Sequence, residues 1–326
     1  MATSGTISAT TFNTLKVVDS AFRRCRIASQ DIAPEMQNNA IDALYLLLSE
    51  LANEKTPSWC IEKIILPMYS NTQIVALPTG TVSVLNLNYR TTQEVTGTIT
   101  TSATSYSTEF SDATTVSTVG VQWTSDSQNL VVECSDDGTT WVQVGVIEVT
   151  AQSGVKTWVD IEGAQSYLHI RITSSLTLNV EDVYFGNSPQ EIPLGILNRD
   201  QYVNQNNKIF PSRPNTYWFQ RDLPVPVVNL WPAPNLAATS AQLVCWRHRH
   251  IMDVGTLRQE IEVPQRWLDA IINSLASKIG QESPRVDLAL LPMLESKAAT
   301  SVMKAWAGDN DGSPTIYQPN IAPYTR

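Results

Sequence analysis

The tandem Arg-His-Arg-His at positions 247–250 brings together side chains that ligate metals or carry protons. In a strand, successive side chains alternate, so His248 and His250 should share one face and Arg247 and Arg249 the other. Two imidazoles make half a zinc site, and the remaining histidine, His169, belongs to a different segment. The tandem therefore reads as a charged strand suited to a subunit contact, with no metal expected. Asp126, Asp136 and Asp137 could offer oxygens to calcium, but Asp136-Asp137-Gly138 is first of all the sequence of a hairpin turn.

Hydrolytic chemistry leaves no trace of the Gly-x-Ser-x-Gly, His-Glu-x-x-His or phosphate-loop kind. No catalytic residue and no cofactor is expected. A glycosidase's carboxylate pair has no sequence signature, so that chemistry stays open. The segment Arg213–Asn235 clusters Tyr217, Trp218, Phe219 and Trp231 among six prolines counted from Pro211 to Pro234. Proline is excluded from central strands, so the paired cores should be Thr-Tyr-Trp-Phe-Gln-Arg and Val-Val-Asn-Leu-Trp in an edge hairpin. Tyr217 and Phe219 should face one way and Trp218 the other, with Arg213 and Arg221 as a polar rim.

The elements that would position these residues are legible from hydrophobic spacing. Phe12, Leu15, Val18, Phe22 and Cys25 recur at helical intervals. Pro34 can open a second helix, whose stripe is Ala40, Ile41, Leu44, Leu47, Leu48 and Leu51. From Lys63 short β-branched runs broken by Pro and Gly predict strands. The Thr/Ser-rich stretch from Thr91 to Thr118 reads as a junction. Between about Thr91 and Gly186 short alternating runs, with no helical stripe, predict an antiparallel β-sandwich. Pro264 should open a helix carrying Trp267, Ile271, Leu275 and Ile279, and Pro284 should precede a last helix that Pro292 kinks or interrupts.

The fold class expected is α+β: helices at both chain ends with small β elements, interrupted by an inserted sandwich. The expected domains are 1–90 with 187–307, the insert 91–186, and an extended C-terminal arm 308–326. The chain has 326 residues, 42% hydrophobic and 16% charged, with a net charge of −9. Binding nucleic acid through its phosphates needs clustered Lys and Arg, so an acidic chain argues against it. No run of about 18 apolar residues predicts a membrane span, and the N-terminus shows no secretory pattern. Cys25, Cys60, Cys134 and Cys245 are scattered in the manner of reduced, buried thiols.

The order of the segments from Asp31 to Trp59, Leu77 to Arg90, Ile196 to Asp222, Val228 to Asn235 and Ile261 to Ile279 resembles the head-to-tail adaptor proteins of short-tailed bacteriophages. Within the insert, Val-Val-Glu-Cys-Ser-Asp-Asp-Gly-Thr-Thr-Trp-Val-Gln-Val-Gly and the later Thr-Trp-Val-Asp-Ile resemble discoidin-like (coagulation factor type C) sandwiches of jelly-roll form. The adaptor resemblance implies a structural virion protein at the head-tail junction, assembled in the host cytoplasm. It would form a homo-oligomeric ring, commonly a dodecamer, bound to the portal protein. Such a ring helps retain packaged DNA without sequence-specific contact, and it receives the tail nozzle and tail fibre proteins. Partner docking falls to Ile316, Tyr317, Ile321 and Tyr324 in the arm. The discoidin resemblance implies an alternative, a glycan-binding module acting through the insert. A cell-wall-degrading virion enzyme is a third reading with no residue assigned.

Overall fold

The computed structural model describes residues 13–54, 57–124, 129–147, 156–161, 166–235, 237, 240–252 and 254–309. Along the chain, α1 (Thr14–Arg24) and α2 (Pro34–Glu54) precede β1 (Ile61–Pro67), β2 (Ile74–Ala76), β3 (Thr81–Glu94), β4 (Thr98–Thr101) and β5 (Ser105–Thr115). Next come β6 (Thr118–Trp123), β7 (Leu130–Ser135), β8 (Val142–Ile147), β9 (Lys156–Asp160), β10 (Ser166–Thr173), β11 (Val180–Pro193) and β12 (Gly195–Ile196). A short helix α3 (Arg199–Val203) leads to β13 (Pro211–Ser212), β14 (Thr216–Gln220), β15 (Val227–Trp231), β16 (Ala233–Pro234) and β17 (Gln242–Arg249). Two helices, α4 (Gln265–Glu282) and α5 (Leu291–Gly308), end the described chain.

Packing divides the chain into one unit of Met1–Ile61 with His250–Arg326 and a second of Glu62–Arg249. The first is helical. Asn13 caps α1 by accepting from the Lys16 amide at 3.1 Å, satisfying one of the donors that open a helix. The spacing of α4 predicts one apolar face, yet residues 270–277 are buried almost without a break, because α4 is the central helix against which α1, α2 and α5 all pack. Its Trp267 is fully buried, 5.1 Å from the ring of Trp59 and 4.6 Å from that of Trp306. Pro292 does not kink the last helix; the expected stripe is interrupted beside it, a 3-10 turn at Leu288–Leu290 giving way to α5. Pro292 stands in the first turn of α5, where a proline lacks nothing the helix needs.

The second unit is built on a six-stranded sheet, β1-β17-β3-β11-β6-β9. One half lies under the five-stranded sheet β4-β5-β10-β7-β8, around a core that includes Val119, Val121, Trp123, Val132, Ile170, Ile172 and Phe185. The other half lies under the four-stranded sheet β12-β14-β15-β2, around Leu87, Tyr217, Val228, Leu230, Leu243 and Cys245. The architecture is thus α+β with a large antiparallel β-sandwich. The β elements outside the expected insert are not small, and the expected boundaries at 90/91 and 186/187 fall inside two 14-residue strands, β3 and β11. Thr is a good strand former, so a Thr-rich stretch with few large apolar residues is a strand with one polar face as readily as a junction.

A charge network crosses this shared sheet. Arg90 on β3, only 4% exposed, donates to Asp160 at 3.1 and 2.7 Å and to the side-chain amide oxygen of Gln242 at 2.6 Å. Lys63 on β1 also donates to Asp160, so strands at both margins of the sheet meet at one carboxylate. Burial tends to raise the Asp160 pKa. The hydrogen bonds and charges of Arg90 and Lys63 outweigh it and hold the carboxyl below its ordinary value.

All four cysteines are buried thiols with no disulfide. Burial pushes the thiol pKa of Cys25 up to about 11, and those of Cys134 and Cys245 up to about 12. Only thiolates react. Native protein at neutral pH should therefore leave a thiol-disulfide reagent colourless, with the thiols appearing only in denaturant; prompt reaction of one thiol in the native state would contradict this.

Candidate functional site on the outer face of the five-stranded sheet

In β10, Ile170 and Ile172 are fully buried and point into the sandwich core, so alternation turns His169, Arg171 and Thr173 outward. The same logic on β7 buries Val132 and Cys134 and turns Glu133 out. The strands pair with Arg171 opposite Glu133 and His169 opposite Ser135. The register places the guanidinium against the carboxylate, Nε to Oε2 at 2.7 Å, and the Thr173 hydroxyl reaches the same oxygen at 3.4 Å.

Beyond β7 the chain turns at Asp136-Asp137-Gly138, as the sequence predicts, with Gly138 at φ +70°, a left-handed conformation that glycine adopts without strain. The Asp137 carboxylate accepts from the amides of Thr140 and Thr139 at 2.7 and 2.8 Å. These bonds, the Thr140 one first, hold its carboxyl well below the usual range. Asp137 is thereby committed to shaping the turn. The turn delivers Trp141, half-buried, over the sheet: the Arg171 guanidinium lies 4.0 Å from its ring centroid and the His169 ring 6.5 Å away, edge-on. One aromatic plane, a guanidinium fixed by a carboxylate, and an imidazole converge there. Such a set can stack an apolar ring face and hydrogen-bond several hydroxyls in fixed directions.

The sites expected from sequence are placed elsewhere. Ile316, Tyr317, Ile321 and Tyr324 lie outside the described residues, as does Asp126. The histidine tandem does not share a face. Register shifts at Trp246/Arg247 and His248/Arg249 break the alternation of β17, so Arg247 and His248 are both buried while His250 lies beyond the strand and is exposed. Arg247 is held by Glu62 at 2.8 Å and Thr81 at 2.7 Å within its own unit. Among the described residues, no group of three or more His, Cys, Asp or Glu is placed to hold a metal ion.

The aromatic hairpin is paired as expected, Thr216 opposite Trp231 through Gln220 opposite Val227, but it is not at an edge: β14 and β15 are the inner strands, flanked by the short β12 and β2. Tyr217 is buried and Phe219 packs partly on the same core, while Trp218 on the other face meets the Tyr202 ring at 5.3 Å. The Trp231 indole donates to the Asn207 carbonyl at 3.1 Å. Arg213 and Arg221, expected as a rim, stand over the rings of Tyr89 and Phe219 at 5.2 and 5.9 Å. These side chains are engaged by packing.

No protein-family model matches the chain, and no curated protein matches it. Solved structures that overlap part of it include a fragment of a putative chitobiase from Bacteroides thetaiotaomicron, at 18% identity over 25% of this chain and 58% of that one, TM-score 0.22. The CBM32-1 module of a family 31 glycoside hydrolase from Clostridium perfringens overlaps 41% of this chain and 98% of its own length, at 9% identity and TM-score 0.24. The CBM62 module of Xyl5A from Clostridium thermocellum overlaps 39% and 98%, at 14% identity and TM-score 0.24. The overlaps are partial and the identities low. The adaptor resemblance finds no support in these comparisons.

Proposed function

We propose that the protein binds glycans on the outer face of its five-stranded sheet. The observation that carries this reading is the convergence of Trp141, Arg171, Glu133 and His169 on one partly exposed surface. Arg171 covers one face of the indole; a pyranose would stack its C–H face on the other, as apolar ring faces do on tryptophan. The guanidinium N–H groups not used by Glu133, together with the His169 ring, would then meet hydroxyls. The role is recognition, without catalysis.

The test is a glycan array probed with the full chain, followed by titration of the best sugar against wild type and Trp141→Ala. The variant should bind at least about tenfold more weakly, about 1.4 kcal/mol, while its melting temperature stays close to wild type because the indole is half-exposed. An array blank at every sugar, or equal binding by the variant, would remove the proposal.

A second reading, an adaptor ring on a phage portal, rests on a different observation. Ile196, Val203, Ile209, Phe210 and Leu223 are each more than half exposed within one stretch of the second unit. Large apolar side chains left in water in such number mark interaction surfaces. Mixing the protein with a portal and imaging the mixture decides it: discrete rings are expected on this reading, and free monomer at high concentration excludes it.

A further inference from the structure

A second surface of the Glu62–Arg249 unit is lined by residues whose buried donors no described residue satisfies. A groove of about 860 Å³ is lined by residues 64–67 of β1, residues 74–77 at and after β2, Lys156 and Trp158 of β9, and the Glu62–Arg247 pair. Side chains alternate along a strand, so a groove lined by consecutive residues of β1 and of β2 looks onto the edges of both strands. Each is the terminal strand of its sheet, with a hydrogen-bonding edge that no strand of the described chain covers. Such an edge is a template for another extended segment.

Two of the residues that line the groove sharpen what would bind. Trp158 is 7% exposed and Arg247 6%, and both the Trp158 indole N–H and the Arg247 Nε–H are buried without an acceptor among the described residues. A buried donor without an acceptor is costly, so its retention calls for an explanation. The six-membered ring of Trp158 lies over Gly120, where an added Cβ would come within 2.5 Å of it, so the indole is seated against the sheet by the lack of a side chain there. Lys156 stands beside it, 5.4 Å from the Tyr184 ring and 3.7 Å from an Asp182 oxygen. The groove thus offers two cations and one carboxylate on a chain whose net charge is −9.

We infer that this groove binds an extended acidic peptide as an added strand. Its backbone would pair with the edge of β1 or β2, its carbonyl oxygens would satisfy Trp158 and Arg247, and an acidic side chain would sit by Lys156. The apolar walls, Ile64, Leu66, Ile74 and Val75, suit the β-branched side chains of a strand. A small carboxylate or an acidic sugar would use the donors but leave the strand edges bare.

The probe is a blocked heptapeptide, Thr-Val-Thr-Glu-Val-Thr-Val, added to the full chain, with binding followed by calorimetry and by amide hydrogen exchange. Binding is expected with a dissociation constant below about 1 mM, with slowed exchange confined to residues 61–67 or 74–76. The same peptide with Lys for Glu should bind about tenfold more weakly, as should the parent peptide to Lys156→Glu. Trp158→Phe removes the donor together with part of the bicyclic ring, so a loss of at least about fivefold is expected, with folding checked by melting. No binding at 61–67 or 74–76, equal affinity of the lysine peptide, unchanged affinity of Trp158→Phe, or the same response to acetate or a galacturonate oligomer would each overturn the inference.

Discussion

Replacing Arg90 with alanine is expected to destabilise the Glu62–Arg249 unit by about 3 kcal/mol. Breaking a buried ion pair costs about 3–5 kcal/mol because the remaining partner is left charged and unpaired. The lower figure applies because Asp160 keeps 25% of its side chain in water and retains Lys63. The loss also strips the side-chain amide oxygen of Gln242 of its 2.6 Å donor in a fully buried position. Urea unfolding followed by hydrogen exchange in β3, β11 and β17 measures it, and a change below about 1 kcal/mol would show that the network is incidental.

The network also fixes a pH dependence. Because the Asp160 pKa is depressed in the folded protein, its contribution is fully present above the unfolded value, about 3.9, and is lost as pH falls through the folded value. Wild type should therefore lose stability on acidification below about pH 4, and Arg90→Ala should lose less over the same interval. An equal acid slope in both proteins would locate the titrating group elsewhere.

The helical unit has its own sensitive point. Trp267→Ala should cost about 3–5 kcal/mol, the range for deleting a large buried aromatic. Its ring is fully buried and makes edge contacts with Trp59 and Trp306, which would be left facing a cavity. The change is read as a lower urea midpoint for the far-ultraviolet helical signal. A shift of only a few tenths of a molar, equivalent to about 1 kcal/mol, would mean that α4 repacks.

Local features were legible in the sequence where a single residue carries the instruction. Pro34 and Pro264 open their helices, Asp136-Asp137-Gly138 makes its turn, and the prolines around Tyr217 confine the aromatic pair to a short hairpin. Features set by pairing were not. The expected division at residue 90 failed because β3 continues to Glu94 opposite Gly186, a partner that no local pattern announces. The shared face of His248 and His250 failed because two register shifts in β17 depend on its neighbour β3. The Trp141 site is of the same kind. Alternation in Ser166–Thr173 puts His169 and Arg171 on one face, but only the register of β10 on β7 brings Glu133 to Arg171, and only the turn geometry lays Trp141 over them.

The position of β3 has a consequence for how the chain acquires its structure. This strand lies between β11 and β17, with Arg90 opposite Glu191 on one side and Gln242 on the other. At a synthesis rate of about 5–20 residues per second, its second partner emerges about 10–30 s after β3 itself. Until then Leu87 and Tyr89, both destined for a core, wait on an unpaired edge. Pairings so distant in sequence place the unit among slow folders. The interval in which nascent β3 stands open is therefore when this protein is most exposed to aggregation and most dependent on chaperones.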